Sequence, residues 1–439
     1  MSKPFMFIQA PVATRSGYGS HARDICRALI KMDKFDIKIA SLNWGNTPMN
    51  ALNDQDPNDK IIIDKLFRDN NLTKQPDIGV EIRIPNEYQC IGKFNIGITA
   101  GIETTLVSPK WVEGCNRVNL NIVPSEHSKL VFEETSYSRT DERTKQPGPP
   151  LKLEKPMEVL FEGADTNIYK KTNEIPLSLH RELDSIKEDY NFLYVGHWLK
   201  GDFGHDRKDT GMLIKVFLET FKNLDNPPGL ILKTSGAGFS VIDRDEILNK
   251  INQVKSTIEG NNIPNIYVLH GDLTDEEMNG LYNHPKVKSH ISFTKGEGFG
   301  RPLLEASLSE KPVIVSGWSG QVDFLDTEMS VLLPGKLKQV HPSVVWEDVV
   351  LKDSQWFYVD YNFAAKVMKD AFVNYKKYKT NAVRQTLQNK NKFSLDKMQS
   401  DLEKMLDKYI PEFPKEVKLN LPNLKTSGDG LKLPKLRKV

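Results

Sequence analysis

Apolar residues recur at two spacings along this chain, and stretches of the two kinds alternate. Residues 5–8 form a short apolar run that predicts a strand. Residues 11–19 predict a loop with glycine and serine, and 20–31 a helix with Ala22, Ile25, Cys26 and Leu29 on one face. Alternation with period two follows at Phe35, Ile37 and Ile39, at Ile78, Val80, Ile82 and Ile84, and at Phe94, Ile96 and Ile98. Residues 120–123 add a short strand, and Ser125 is placed to cap a helix running toward Glu134. Residues 157–161 predict another strand, closed by the turn Gly163-Ala164-Asp165.

A second series begins at residues 192–195. Strands are predicted at 192–195, 230–233, 266–269, 287–293 and 312–316, with helices at 210–221, 243–258 and 302–309 between them. The 243–258 helix turns Ile247, Leu248, Ile251 and Val254 inward, and Thr274 to Glu277 forms a capping box. Helical sequence closes the series at 362–378 and 394–409. Two stretches break the rhythm. Residues 135–156 are polar and carry Pro147, Pro149 and Pro150, which predicts a long exposed loop, and 166–189 read as an interdomain connection. Strand and helix in alternation predict an α/β fold with parallel sheets. At 439 residues the chain is too long for one ordinary core. We therefore expect an N-terminal domain over 1–165, completed by a helix within 385–410 that crosses back to it, and a C-terminal domain over 166–384. A separate tail covers 411–439.

Composition narrows the function classes. A net charge of +2 lacks the basic field of dedicated nucleic-acid binders. Cys26, Cys90 and Cys115 match no zinc motif and make no disulfide framework, so all three are expected as buried apolar residues in a reducing compartment. No run is long enough to cross a bilayer, and the N-terminal apolar patch is too short for a signal peptide, so a soluble, cytoplasmic protein is expected. The tail is rich in proline, lysine and leucine and cannot build a core. It suits an extended arm that docks on the protein's own surface, another subunit or an acidic partner.

The chemistry concentrates in residues 293–325. A strand ends at Phe293, and Gly296, Gly298 and Gly300 allow a sharp turn and close approach of backbone to a ligand. Pro302 suits the first turn of a helix, whose free N–H groups favour an anion. Glu297 in the loop and Glu305 one turn into the helix face the crevice at the carboxyl ends of the strands, where open α/β sheets bind ligands. Two carboxylates beside an anion site suit a ligand with hydroxyls and phosphate, as in a nucleotide sugar.

The segment Phe-Thr-Lys-Gly-Glu-Gly-Phe-Gly-Arg-Pro-Leu-Leu-Glu-Ala from Phe293 resembles the signature of family-4 retaining glycosyltransferases. That resemblance implies the GT-B architecture of two Rossmann-like domains facing across a cleft. It also implies that Glu297 contacts the transferred sugar, that Glu305 binds the ribose hydroxyls, and that the backbone around Gly298, Phe299 and Gly300 approaches the sugar and diphosphate. Tyr194-Val-Gly-His-Trp followed by Asp206-Arg-Lys-Asp is similar to the family's strand, glycine and basic pair, which assigns Arg207 and Lys208 to the diphosphate. His197 stands where an arginine is frequent, and Asp209 where a glycine is common. Ser16-Gly-Tyr-Gly-Ser-His-Ala-Arg resembles the N-domain glycine loop, with Gly17 and Gly19 under the donor phosphates. Glu103, in Ile98-Thr-Ala-Gly-Ile-Glu-Thr-Thr, takes the place where many members have a histidine facing the sugar. Glu162 replaces an asparagine in the turn before the hinge. The wording of Arg83-Ile-Pro-Asn-Glu-Tyr and Thr99-Ala-Gly-Ile-Glu-Thr-Thr is similar to members encoded by tailed bacteriophages.

The resemblance implies retention of anomeric configuration by front-face displacement. Arg207, Lys208 and the helix start at Pro302 would offset the charge on the leaving diphosphate. No Asp-x-Asp element stands in a suitable place, so metal independence is expected, with the nucleotide sugar as co-substrate and no further cofactor. The alternative is a catalytically inactive binding or structural protein that kept the fold. The acceptor stays open among a glycan, a lipid-linked sugar, a protein and a modified DNA base.

Overall fold

The computed structural model describes residues 3–45, 47–69, 71–140, 143, 145–236 and 240–414. The expected docking arm therefore lies, from residue 415 on, outside the described residues. The N-terminal domain runs through β1 (Phe5–Ala10), α1 (Gly17–Lys31), β2 (Asp36–Ser41), α2 (Pro57–Ile63), β3 (Ile78–Ile82), β4 (Phe94–Ile98), α3 (Pro109–Arg117), β5 (Leu120–Val123), α4 (Glu126–Glu134), β6 (Ser136–Thr140), β7 (Pro147–Lys152) and β8 (Met157–Val159). Its sheet has the order β2-β1-β3-β4-β5-β8, with every pair parallel. The inner strands β1, β3, β4 and β5 are buried on both faces, whereas the edge strand β2 buries only alternate residues.

The chain continues through α5 (Leu177–Leu183), β9 (Asn191–His197), α6 (Thr210–Phe221), β10 (Gly229–Ser235), α7 (Val241–Lys255), β11 (Ile266–Leu269), α8 (Asp275–Asn283), β12 (Val287–Ser292), α9 (Arg301–Ser307), β13 (Val313–Ser316) and β14 (Val331–Leu333). It ends in β15 (Gly335–Gln339), β16 (Gln355–Val359), α10 (Tyr361–Val373), α11 (Tyr375–Lys392) and α12 (Leu395–Tyr409). The second sheet, β11-β10-β9-β12-β13-β14, is again parallel throughout. Two Rossmann-like layers thus face each other. From β9 the strand order runs outward in both directions, so a topological switch point falls between β9 and β12, where α/β sheets leave a crevice.

Three expectations need correction, and one connection gains an element. Residues 136–140 and 147–152 are not irregular: as β6 and β7 they pair antiparallel, and Leu151 and Tyr137 pack on the cluster of Trp111, Val112 and Phe132. Pro147 pairs with Thr140 at the end of the ribbon, and Pro149 and Pro150 fall where the register shifts, an irregularity that tolerates proline. The connection 166–189 holds a helix, α5. The helical stretch at 362–378 breaks at Asn374 into α10 and α11. Cys90 is only partly buried, in a left-handed turn with φ 57°, while Cys26 and Cys115 are buried.

Helix α12 lies against α1. Met398, Leu402 and Leu406 enter the same core as Met6, Ile8 and Ile25, and Ala164 pairs with Ser394 as the chain returns. Ser394 caps the helix by accepting from the Lys397 N–H. Among the described residues no helix is long and apolar enough to cross a membrane. Leu402 is 1% exposed, so Leu402→Ala should lower stability by about 2–5 kcal/mol in urea unfolding. A loss below about 1 kcal/mol would mean that α12 contributes little to the N-terminal core.

Candidate active site

Loops from the carboxyl ends of β9 and β12 meet at the switch point. The β9 loop ends in Asp206-Arg207-Lys208-Asp209 before α6, and the β12 loop carries Thr294 to Gly300. Lys208 Nζ donates to Glu297 Oε1, and Arg207 Nη1 donates to Glu297 Oε2 at 3.0 Å. Thr294 Oγ1 donates to Oε1 at 2.6 Å, and the Glu297 N–H donates to Ser319 Oγ at 2.9 Å, so the carboxylate has little rotational freedom. Burial alone would raise the Glu297 pKa, but Lys208 and Arg207 hold it down to about 2. Burial pushes the Lys208 ammonium downward, with Glu297 partly offsetting it.

Lys295 underlies this cluster. Its side chain is fully buried, with Nζ 2.7 Å from Asp209 Oδ1 and donating to Asp206 O at 2.8 Å. Its backbone N–H donates to Arg207 O at 2.7 Å, and Tyr361 donates to Asp209 Oδ2 at 2.6 Å. Asp209 has φ 52°. This left-handed backbone accounts for a glycine being comfortable at that position; here a buried ion pair holds an aspartate in it. The segment bearing Arg207 and Lys208 is thereby held through both carbonyls and a carboxylate.

The N-terminal domain closes over the cluster. Glu103 Oε1 lies 3.6 Å from Arg207 Nη1. Ser125 Oγ donates to Gly298 O at 2.6 Å. A Cβ on Gly298 would stand 2.0 Å from Ala100 O, and one on Gly296 2.0 Å from Glu103 O. These two glycines are therefore required by the close approach of one domain's backbone to the other's, whereas Gly300 is required by its φ of 101°. The Phe299 side chain packs on Phe324 inside the C-terminal core, so only its backbone faces the cleft.

Glu305 lies on a second network. Arg301 Nε donates to Glu305 Oε1 at 3.0 Å and its Nη1 to Asp24 Oδ2 at 2.5 Å, which ties α9 to α1 across the domains. Burial raises the Glu305 carboxyl to about 7, and Arg301, shared with Asp24, offsets this only in part. Glu162, also buried beside this network, is raised to about 7 by burial. Glu305 thus stands apart from the Glu297 cluster, on the same side of the cleft.

The remaining expected residues divide. Gly19 is needed at the start of α1, since a Cβ there would meet Thr14 O at 2.2 Å, while Gly17 faces open space. His197 ends β9 with Nδ1 2.9 Å from Ser235 Oγ; burial, then Lys208 and Arg207, lower its pKa, so it is neutral at pH 7. Sequence reading passed over Lys295, Arg301, Asp24 and His127. The His127 ring sits against the backbone of Ile102 and Thr104 and 4.5 Å from the Trp318 ring, with Nε2 buried and making no hydrogen bond. It brings a histidine beside Glu103 from the first turn of α4. The Ser125-Glu-His cap sequence was the available signal for it.

The architecture is that of GT-B glycosyltransferases. HepE of Anabaena, crystallised with UDP-glucose, is 14% identical, with a TM-score of 0.61 over 92% of this chain and 100% of that one. Sucrose-phosphate synthase of Thermosynechococcus elongatus is 12% identical, with a TM-score of 0.61 over 92% and 98%. A glycosyltransferase of Rickettsia africae is 13% identical, with a TM-score of 0.59 over 93% and 100%. No family model matches the sequence, and no curated protein matches it.

Lys295→Met leaves the Asp209 carboxylate buried without its cation, which should cost about 3–5 kcal/mol in chemical unfolding. The double change Lys295→Met, Asp209→Asn should recover part of that. A single variant within about 0.5 kcal/mol of wild type would remove the ion pair from the account.

Proposed function

We propose that the chain is a retaining glycosyltransferase of the family-4 kind, of the type tailed bacteriophages encode. In this reading it moves a sugar from a nucleoside diphosphate sugar to an acceptor without a metal. One observation carries the reading: Glu297 is shared by Lys208 and Arg207 at the switch point of the second sheet, and Glu103 from the first domain lies against Arg207. Two fixed cations and ordered carboxylates at one crevice suit a ligand with both a diphosphate and sugar hydroxyls. HepE, of the same architecture, was crystallised with UDP-glucose, which makes a uridine diphosphate sugar the donor to test first.

In this reading Lys208 and Arg207 exchange part of their contact with Glu297 for the diphosphate. Charge grows on the bridging oxygen as the anomeric bond breaks, and preorganised cations in a site shielded from water offset it. The leaving phosphate oxygen takes the acceptor proton on the same face, so configuration is kept and no separate nucleophile is needed. Glu297 and Glu103 accept hydrogen bonds from the sugar, and Glu305 from the ribose. The backbone around Gly298 and Gly300 approaches the diphosphate.

Lys208→Ala should lower turnover of the accepted donor by a factor of about 10²–10³, with donor affinity changed far less. Glu305→Ala should act mainly on donor affinity, because ribose contacts persist from ground state to transition state. A panel of nucleotide sugars, scored by calorimetry and slow hydrolysis, identifies the donor. Both variants remaining within a few-fold of wild type in turnover and affinity would reject the site assignment.

The raised Glu305 pKa of about 7 sets a pH dependence. The carboxylate, the stronger acceptor for ribose, forms as pH rises through that value. Affinity for the donor, whose phosphates do not titrate in this range, should therefore increase about 5-fold from pH 6 to 8. Glu305→Gln should flatten the slope, and a slope that survives in this variant would assign the titration to another group.

A further inference from the structure

On the far side of the C-terminal domain, three potential metal ligands converge outside the proposed catalytic cleft. His180 on α5 and Asp184 at its C-cap are one helical turn apart, which puts both on one face. His284 follows α8 directly as its C-cap. His180 Nδ1 lies 3.5 Å from Asp184 Oδ2, His284 Nε2 lies 3.5 Å from Asp184 Oδ1, and one donor atom from each residue falls within 4.8 Å of the other two. The His284 side chain is only 1% exposed, and its Nε2 is buried without a hydrogen-bond partner although it points at this cluster. A buried ring nitrogen with no partner is costly and needs an explanation.

We propose that His180, Asp184 and His284 bind a divalent transition-metal ion, with zinc as the best fit. Two imidazoles and a carboxylate are a borderline donor set suited to zinc. Ligand bonds of about 2.0–2.1 Å in a tetrahedron put ligand atoms about 3.3 Å apart; each imidazole already lies 3.5 Å from one or the other Asp184 oxygen, and the three donors within 4.8 Å, so a small rotation of the exposed carboxylate closes the set. The Asp184 side chain is 63% exposed and that of His180 37%, so the fourth position opens to water. The ion satisfies Nε2, and the proton of His284 then resides on Nδ1. The Lys286 N–H now approaches Nδ1 at 3.3 Å and has to withdraw, which holds the affinity in the micromolar range rather than that of a closed structural site.

The ion would staple the interdomain connection to α8. Asn279 and Asn283 of α8 already accept from the backbone N–H groups of Lys170 and Thr172 in that connection. Tyr282, two residues before His284, lies with its hydroxyl 3.5 Å from Glu305 Oε2. The metal would thus brace the helix beneath one carboxylate of the cleft without touching substrate.

The test is titration of zinc alone into the full chain after treatment with chelator, by calorimetry and thermal unfolding. We expect one equivalent bound with a dissociation constant of about 1–10 µM and a Tm raised by a few degrees at about 100 µM zinc, reversed by chelator. His180→Ala and Asp184→Asn alter partly exposed positions and should keep the fold while weakening binding at least about tenfold; His284→Gln should abolish it. No saturable binding below about 100 µM in the wild-type chain would overturn the proposal, leaving the cluster a histidine–aspartate ion pair. Zinc binding of undiminished affinity in His180→Ala and Asp184→Asn would overturn it as well, since the ion would then sit elsewhere.

Discussion

The cleft depends on one carboxylate. Glu297 is held by Lys208 and Arg207, and Arg207 in turn lies beside Glu103 of the other domain. This chain of charges joins the loop after β12, the loop after β9 and the loop after β4. Glu297 and Lys208 are nearly buried, where an unpaired charge would be expensive and a paired one holds its geometry firmly, while Arg207 and Glu103 are partly exposed. The loops of both domains are thus held together by charge and hydrogen bonds within the chain itself.

Beneath it, Lys295 performs a service that no ligand contact would reveal. It fixes Asp206, Arg207 and Asp209 at once, and so keeps the two basic side chains at the mouth of β9. An aspartate with a positive φ is strained by ordinary backbone preference. The attraction to Lys295 and the hydrogen bond from Tyr361 offset that strain. The departure from a glycine at this position is compensated locally and leaves the basic pair in place.

Closure of the two domains combines close backbone approach with polar side-chain contacts. Gly296 and Gly298 pass so close to Glu103 and Ala100 that no Cβ fits. Polar contacts surround that approach: Ser125 on the Gly298 carbonyl, Arg301 on Asp24, and Asp323 accepting from the Glu126 N–H. Polar inter-domain contacts of this kind are compatible with relative domain motion.

Alternating apolar periods determined two parallel α/β series, because strands buried on both faces and amphipathic helices leave unmistakable spacing in a chain. The run from Phe293 to Ala306 singled out one loop, since its glycines, its two glutamates and its proline act through local geometry, and that loop is the one the fold sets against the basic pair after β9. The tertiary structure alone decided the rest. That Glu297 meets Lys208, 89 positions away, follows from the strand order β9-β12, which no local signal encodes. Lys295 and Arg301 read as ordinary loop and helix cations; their weight comes from burial against Asp209 and Asp24, distant partners brought near only by packing. The hairpin of β6 and β7 escaped notice because prolines obscure strand alternation, yet an edge ribbon tolerates them where a central strand could not.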